Sequence, residues 1–144
     1  MSDISEAEAR LLLSRPLRCE GDLAWEPRAD GRKGRILAVG LLDETGLATP
    51  LVVELRYMHS AQAATTKYVF SVKIRERYGL QRVYQLEVTQ TPRDPKDVHR
   101  RSHEHIGDLR SIGHARWRRW SYHEVLAYFC AQTNITFDPV PSHP

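Results

Sequence analysis

Long apolar runs are missing from this chain, and no basic-then-apolar segment opens it. Nothing approaches the eighteen or so residues that a membrane span requires, so a cytoplasmic protein with no membrane partner is expected. Cysteine is nearly absent as well: Cys19 and Cys130 are the only two, without CxxC spacing. A disulfide framework is therefore not expected, and two reduced thiols are, the second on the apolar face of a helix. There is no low-complexity tract and no repeat at solenoid spacing in the 144 residues, a length that suits one domain able to bury its own core. We place that domain at 1–138, followed by a flexible tail at 139–144 that carries Pro139, Pro141 and Pro144.

A strong overall charge is also lacking, since the formal net charge is only +3. Its distribution is uneven. Residues 1–72 hold nine Lys/Arg against ten Asp/Glu, whereas residues 73–144 hold twelve against eight. The excess gathers in Arg93, Lys96, Arg100, Arg101, Arg110, Arg116, Arg118 and Arg119. Seven of these eight are arginines, whose planar donor fork suits phosphate. The bland alternative is a solvated face.

What is present locally reads as α+β. Ser5-Glu-Ala-Glu8 is a capping box, with Ala9, Leu12 and Leu13 as the buried stripe and Pro16 as the stop. From Arg35 the period becomes two. Ile36–Leu42 is followed by the turn signal Asp43-Glu-Thr-Gly46, then Leu51–Met58, Tyr68–Arg75 and, past Tyr78-Gly79, Val83–Val88 alternate in and out. A second capping box, Ser121-Tyr-His-Glu124, opens a helix with Val125, Leu126, Phe129 and Cys130 inward. Trp120 before that cap is placed to be buried as a staple, with Trp117 more exposed among the arginines. The resulting expectation is an antiparallel four- to five-stranded meander with an N-terminal and a C-terminal helix packed on one face.

Chemistry concentrates in Asp97-Val-His-Arg-Arg-Ser-His-Glu-His-Ile-Gly-Asp108. If His103–Ile106 is a strand, His103 and His105 share one face and Ile106 points to the core on the other. Three uses stay open. One is metal-free acid and base catalysis on RNA by His99, His103 and His105, with Arg93, Lys96, Arg100, Arg101, Arg116, Arg118 and Arg119 holding phosphates. Another is a divalent metal at His103 and His105, with His99, His114 or Asp108 as a third ligand, which is not favoured because no His-x-His-x-Asp-His run is present. The remaining use is a polar surface patch.

A wider pattern accompanies the motif: Glu8-Ala9 to Leu12-Leu13, Glu54-Leu-Arg56, Lys67-Tyr68, His99, His103-Glu-His105, a Trp and a final Phe129-Cys130 helix. From about Ile4 to Phe137 this resembles small bacterial and prophage proteins, some of them described as candidate toxins of toxin–antitoxin modules. Those proteins tend to have Arg-x-Asp before the loop where this chain reads Gln85-Leu-Glu87. The resemblance thus implies that Glu87 would have to serve if an acid there were catalytic. It implies mobile-element biology and makes His99, His103 and His105 the positions to test; the partners expected from the basic cluster are RNA or an acidic protein such as an antitoxin or host nucleoprotein. The alternative is a non-catalytic phage-encoded inhibitor that occupies a host protein or nucleoprotein surface. Nothing in the sequence fixes an oligomeric state.

Overall fold

Period-two alternation builds the centre of the molecule, and shorter elements complete it. The computed structural model describes residues 4–28, 33–93, 96 and 102–144. In chain order it runs α1 (Glu6–Leu12), β1 (Leu17–Glu20), β2 (Glu26–Pro27), β3 (Arg35–Leu42), β4 (Ala48–Ser60), β5 (Thr65–Glu76), β6 (Gly79–Gln90), β7 (His103–Ile106), β8 (Leu109–Ile112), a 3-10 turn (Ala115–Arg119), α2 (Tyr122–Thr133) and β9 (Ile135–Asp138).

Strands β3 to β6 form the antiparallel meander that the alternation predicts. The β3–β4 turn is tied by Asp43, whose carboxylate accepts from the Thr45 amide at 2.8 Å, the Thr45 hydroxyl at 2.6 Å and the Leu47 amide at 3.1 Å. These donors hold the Asp43 carboxyl below its ordinary range.

The expected sheet of four or five antiparallel strands is corrected. The described sheet has nine strands in the order β8-β7-β6-β5-β4-β3-β1-β9, with β2 beside β3, and it is mixed because β1 and β9 run parallel. Leu17 faces Ile135 and Cys19 faces Phe137, partners too distant in sequence for local periodicity to join. The class remains α+β, with two helices.

Both helices lie on one face. Phe129 of α2 meets Phe70 and Tyr84 at ring distances of 5.7 and 5.9 Å, and Ala9 of α1 is fully enclosed. Val53, Leu55, Val72, Leu86, Val88 and Val125 complete this core, each contributing roughly 1.5–3 kcal/mol by burial. The tryptophans reverse their expected order, since Trp117 is buried and Trp120 only partly so. They stack at 4.9 Å, and Gly113 packs so closely on the Trp117 ring that a Cβ there would collide with it. The Pro141–His143 segment, expected to hang loose, makes specific contacts. Pro141 O accepts from the Tyr122 hydroxyl at 2.7 Å, Ser142 O accepts from Trp25 Nε1 at 2.8 Å, and the His143 ring packs on Tyr57, Tyr68 and Tyr122.

Candidate functional site

β7 carries the His-x-His pair to the sheet face away from the helices. Its register on β6 sets His103 opposite Glu87 and His105 opposite Gln85, while Glu104 and Ile106 oppose the core residues Leu86 and Tyr84. Three devices hold this short strand. In the turn to β8, Gly107 has φ +57° and its N–H donates to Val83 O at 2.8 Å, while Asp108 Oδ1 accepts from the Glu6 amide at 3.0 Å, in the first turn of α1. On the helix side, the Glu104 carboxylate accepts the Tyr84 hydroxyl at 2.7 Å and the Tyr128 hydroxyl at 3.1 Å. Burial and this carboxylate push both phenols above their ordinary pKa. Before the strand, Ser102 Oγ accepts from the Thr89 amide at 3.1 Å and Ser102 O from the Gly113 amide at 2.9 Å.

The resulting geometry is a carboxylate-backed histidine next to a second histidine. His103 Nε2 lies 3.2 Å from Glu87 Oε2, and Glu87 Oε1 lies 2.9 Å from Lys67 Nζ. The two imidazoles meet edge to face with centroids 5.0 Å apart. Burial, reinforced by Arg82, His103 and Arg110, holds the His105 pKa down to about 4 against a smaller opposing pull from Glu87. Arg82 reaches this face through an irregularity in the β5–β6 ladder: Val72 pairs with Tyr84 but Lys73 with Arg82, so Val83 is left over. Arg110 arrives opposite His105 from β8.

A second charged group adjoins on the same face. Glu54, 8% exposed, lies 3.1 Å from Lys73 Nζ and 2.5 Å from Arg56 Nε. The Arg56 contact is off-axis, so its buried Nε–H has no directed hydrogen bond among the described residues. Between the two charged groups the register aligns His105, Gln85, Ser71 and Glu54 across four strands.

The sequence-derived site is thus assembled only in part. His103 and His105 come together, whereas His99, Arg100 and Arg101 fall outside the described residues. Arg93 and Lys96 are exposed beyond the end of β6. Arg116, Arg118 and Arg119 sit on the 3-10 turn, whose Trp117 packs against Tyr128 on the helix side. Arg118 is pinned there, donating to Thr91 O at 3.1 Å and Pro92 O at 3.2 Å. Asp108 and His114, weighed as metal ligands, cap α1 and the 3-10 turn instead.

The cations that flank the histidines are Lys67, Arg82 and Arg110. Sequence reasoning assigned none of the three to the site, although Arg110 was counted in the basic excess. Neither the ladder irregularity nor the pairing of β7 on β6 has a local signature; β8 does, in the Gly107-Asp108 turn. No group of three or more His, Cys, Asp or Glu side chains among the described residues is arranged to hold a metal ion. No helix among them is long and apolar enough to cross a membrane. No protein-family model, no curated protein and no solved structure matches this chain.

Proposed function

We propose that this chain is a small mobile-element protein, of the toxin–antitoxin or prophage kind, that binds RNA on the open sheet face and cleaves it there without metal. One observation carries the reading: an imidazole backed by a carboxylate, His103 on Glu87 at 3.2 Å, stands beside a second imidazole held uncharged at neutral pH. One imidazole placed to donate a proton beside another that accepts one is what cleavage next to a 2′-hydroxyl needs. His105 takes the proton of the 2′-hydroxyl as that oxygen attacks phosphorus. The bond from phosphorus to the 5′-oxygen breaks, a 2′,3′-cyclic phosphate forms, and His103 acts as the general acid toward the leaving oxygen. Arg82, Arg110 and Lys67 stabilise the charge on the phosphoryl oxygens.

The test is inducible expression in a bacterial host of the wild type beside His103→Ala and His105→Ala, with growth and total RNA integrity followed. Growth arrest with fragmented RNA for the wild type alone supports the reading. Intact RNA in all three cultures removes it.

The small exposure of His103, 7%, favours a second reading. In it the Glu87–His103 contact is a structural pin, and the basic face docks an acidic protein without chemistry. Growth arrest with intact RNA that survives either histidine substitution selects this alternative.

A further inference from the structure

The sheet ends at β9, which pairs with β1 on one side and with no described strand on the other. That pairing fixes which way its backbone groups point. The Leu17 and Gly21 amides donate to Asn134 O at 2.9 Å and Asp138 O at 3.1 Å, so in this parallel ladder Thr136 and Asp138 turn their backbone groups toward β1. Ile135 and Phe137 therefore present their N–H and C=O groups at the outer edge. Free edges of this kind are ordinarily blunted by charged side chains, proline or a bulge, because they invite another strand. The interior of β9 has none of these, since Ile135, Thr136 and Phe137 are neutral and in regular register with β1. At the far end of the sheet, by contrast, the outermost strand β8 carries Arg110.

A cavity of about 310 Å³ opens beside this edge on the helix side. Its walls are Leu126, Ala127 and Cys130 of α2, Ile135 and Phe137 of β9, and Val140, which is 59% exposed. None of the described residues that line it is Lys, Arg, Asp or Glu, in a chain of which 27% is charged. An unpaired strand edge with an apolar groove along it is the arrangement that takes up a further strand, main-chain hydrogen bonds giving the attachment and the groove covering apolar side chains. We infer that the added strand is β9 of a second copy of this chain, antiparallel, with Thr136 of the two protomers facing each other across a two-fold axis.

Register singles out this occupant. With Thr136 on the axis, Ile135 of one protomer lies opposite the partner's Phe137, and each such pair exchanges two hydrogen bonds through the groups that point outward. Thr136 meets the partner's Thr136 in the intervening pair, a favourable cross-strand contact. Asp138 comes opposite the partner's Asn134, so no like charges are opposed, and Pro139, with no N–H to give, ends the ladder. Ile135 and Phe137 both lie on the helix side, so the pairing brings the two grooves together and each covers the other. Four residues of strand alone bury far less than the roughly 800 Å² per partner of a standard interface, so closure of the grooves supplies the rest and an affinity on the order of micromolar is expected. The histidine strand β7 lies toward the opposite end of the sheet, so the inference does not depend on the RNA reading.

The experiment is sedimentation velocity on the full chain from about 1 to about 300 μM, a range that brackets such an affinity. The wild type should pass from 16.6 kDa to twice that mass as concentration rises, and the Ile135 and Phe137 amides should exchange with solvent more slowly in the concentrated sample. Thr136 is exposed, so Thr136→Lys and Thr136→Glu should keep the fold, as circular dichroism checks, while setting like charges against each other across the axis. Each alone should weaken the dimer about tenfold or more, and an equimolar mixture of the two should restore it. Ala127→Arg, at an exposed position on α2 beside the groove, should weaken it as well. A wild type that stays monomeric throughout overturns the inference and leaves the groove to an occupant other than this chain. A dimer that ignores both Thr136 substitutions, or that they weaken without restoration in the mixture, is built on another surface or register and overturns it too. Indifference to Ala127→Arg removes the groove from the interface.

Discussion

A histidine with its pKa near 4 is uncharged at neutral pH and becomes a liability in acid. The ordinary imidazole value is about 6.5, and folding lowers that of His105 to about 4. Between these values the unfolded chain binds more protons than the folded one, so stability contributed here is full above about pH 6.5 and is lost as the pH falls toward 4. Urea midpoints at pH 7 and pH 5 should therefore fall further for the wild type than for His105→Gln; parallel falls would remove His105 as the cause. For the RNA cleavage proposed above, the same value sets the expected acid limb near pH 4. A limb near 6.5 would mean that another group takes the proton.

Glu87 allows a sharper test, because its carboxylate touches both His103 and Lys67. Glu87→Gln should lower kcat by about a hundredfold, the scale of a disabled acid–base group, with little change in the urea midpoint. At this scale the sequence was legible where strand alternation applies: His103 and His105 share a face and Ile106 takes the other. Glu87 came into view through a resemblance alone, because its partnership with His103 depends on the register of two strands separated by the long loop after β6.

At the scale of elements, the β7–β8 hairpin is a small lever docked on α1. Gly107 occupies the left-handed region, with its backbone against the Ser5 carbonyl, where a Cβ would collide. Gly107→Ala should cost about 2 kcal/mol or more, combining left-handed strain with displacement of the turn. Denaturant unfolding reads that loss, and the chemical shifts of the His103 and His105 rings report the displacement. A loss below half a kcal/mol would show that the turn does not hold the pair.

The α2 capping box, the Ser5 cap of α1 and the four long strands were readable in advance, since each is a statement about neighbours in sequence; at α1 the Glu8 carboxylate meets the Ser5 hydroxyl rather than its amide. β1 and β9 were not, being four residues each and stabilised by one another. The tryptophan order failed for a related reason. The staple geometry predicts contact for Trp120 but takes no account of the 3-10 turn, which folds Trp117 beneath it onto Tyr128.

For the whole molecule, the distribution of charge decides what RNA would feel. The cations beside the histidines and those of the 3-10 turn belong to different sides of the sheet. One strand of RNA on the open face neutralises the first set and not the second. Removing Lys67 and Arg110 together should therefore flatten the dependence of log affinity on log salt by roughly 0.7 for each lost phosphate contact. Removing Arg116 and Arg119 should leave the slope unchanged. Equal effects from the two pairs would mean that RNA wraps around the sheet edge, and no salt dependence in any variant would remove nucleic acid as the partner.

The parallel pairing of β1 with β9 joins segments from opposite ends of the described chain. While the polypeptide is being made, the meander and the histidine hairpin emerge from the ribosome well before Ile135–Asp138. The ladder position beside β1 stays empty until then, leaving the backbone groups of Leu17–Glu20 on that side without their partners. Completion of the sheet consequently waits on β9, and until that strand pairs, β1 is an edge open to other strands.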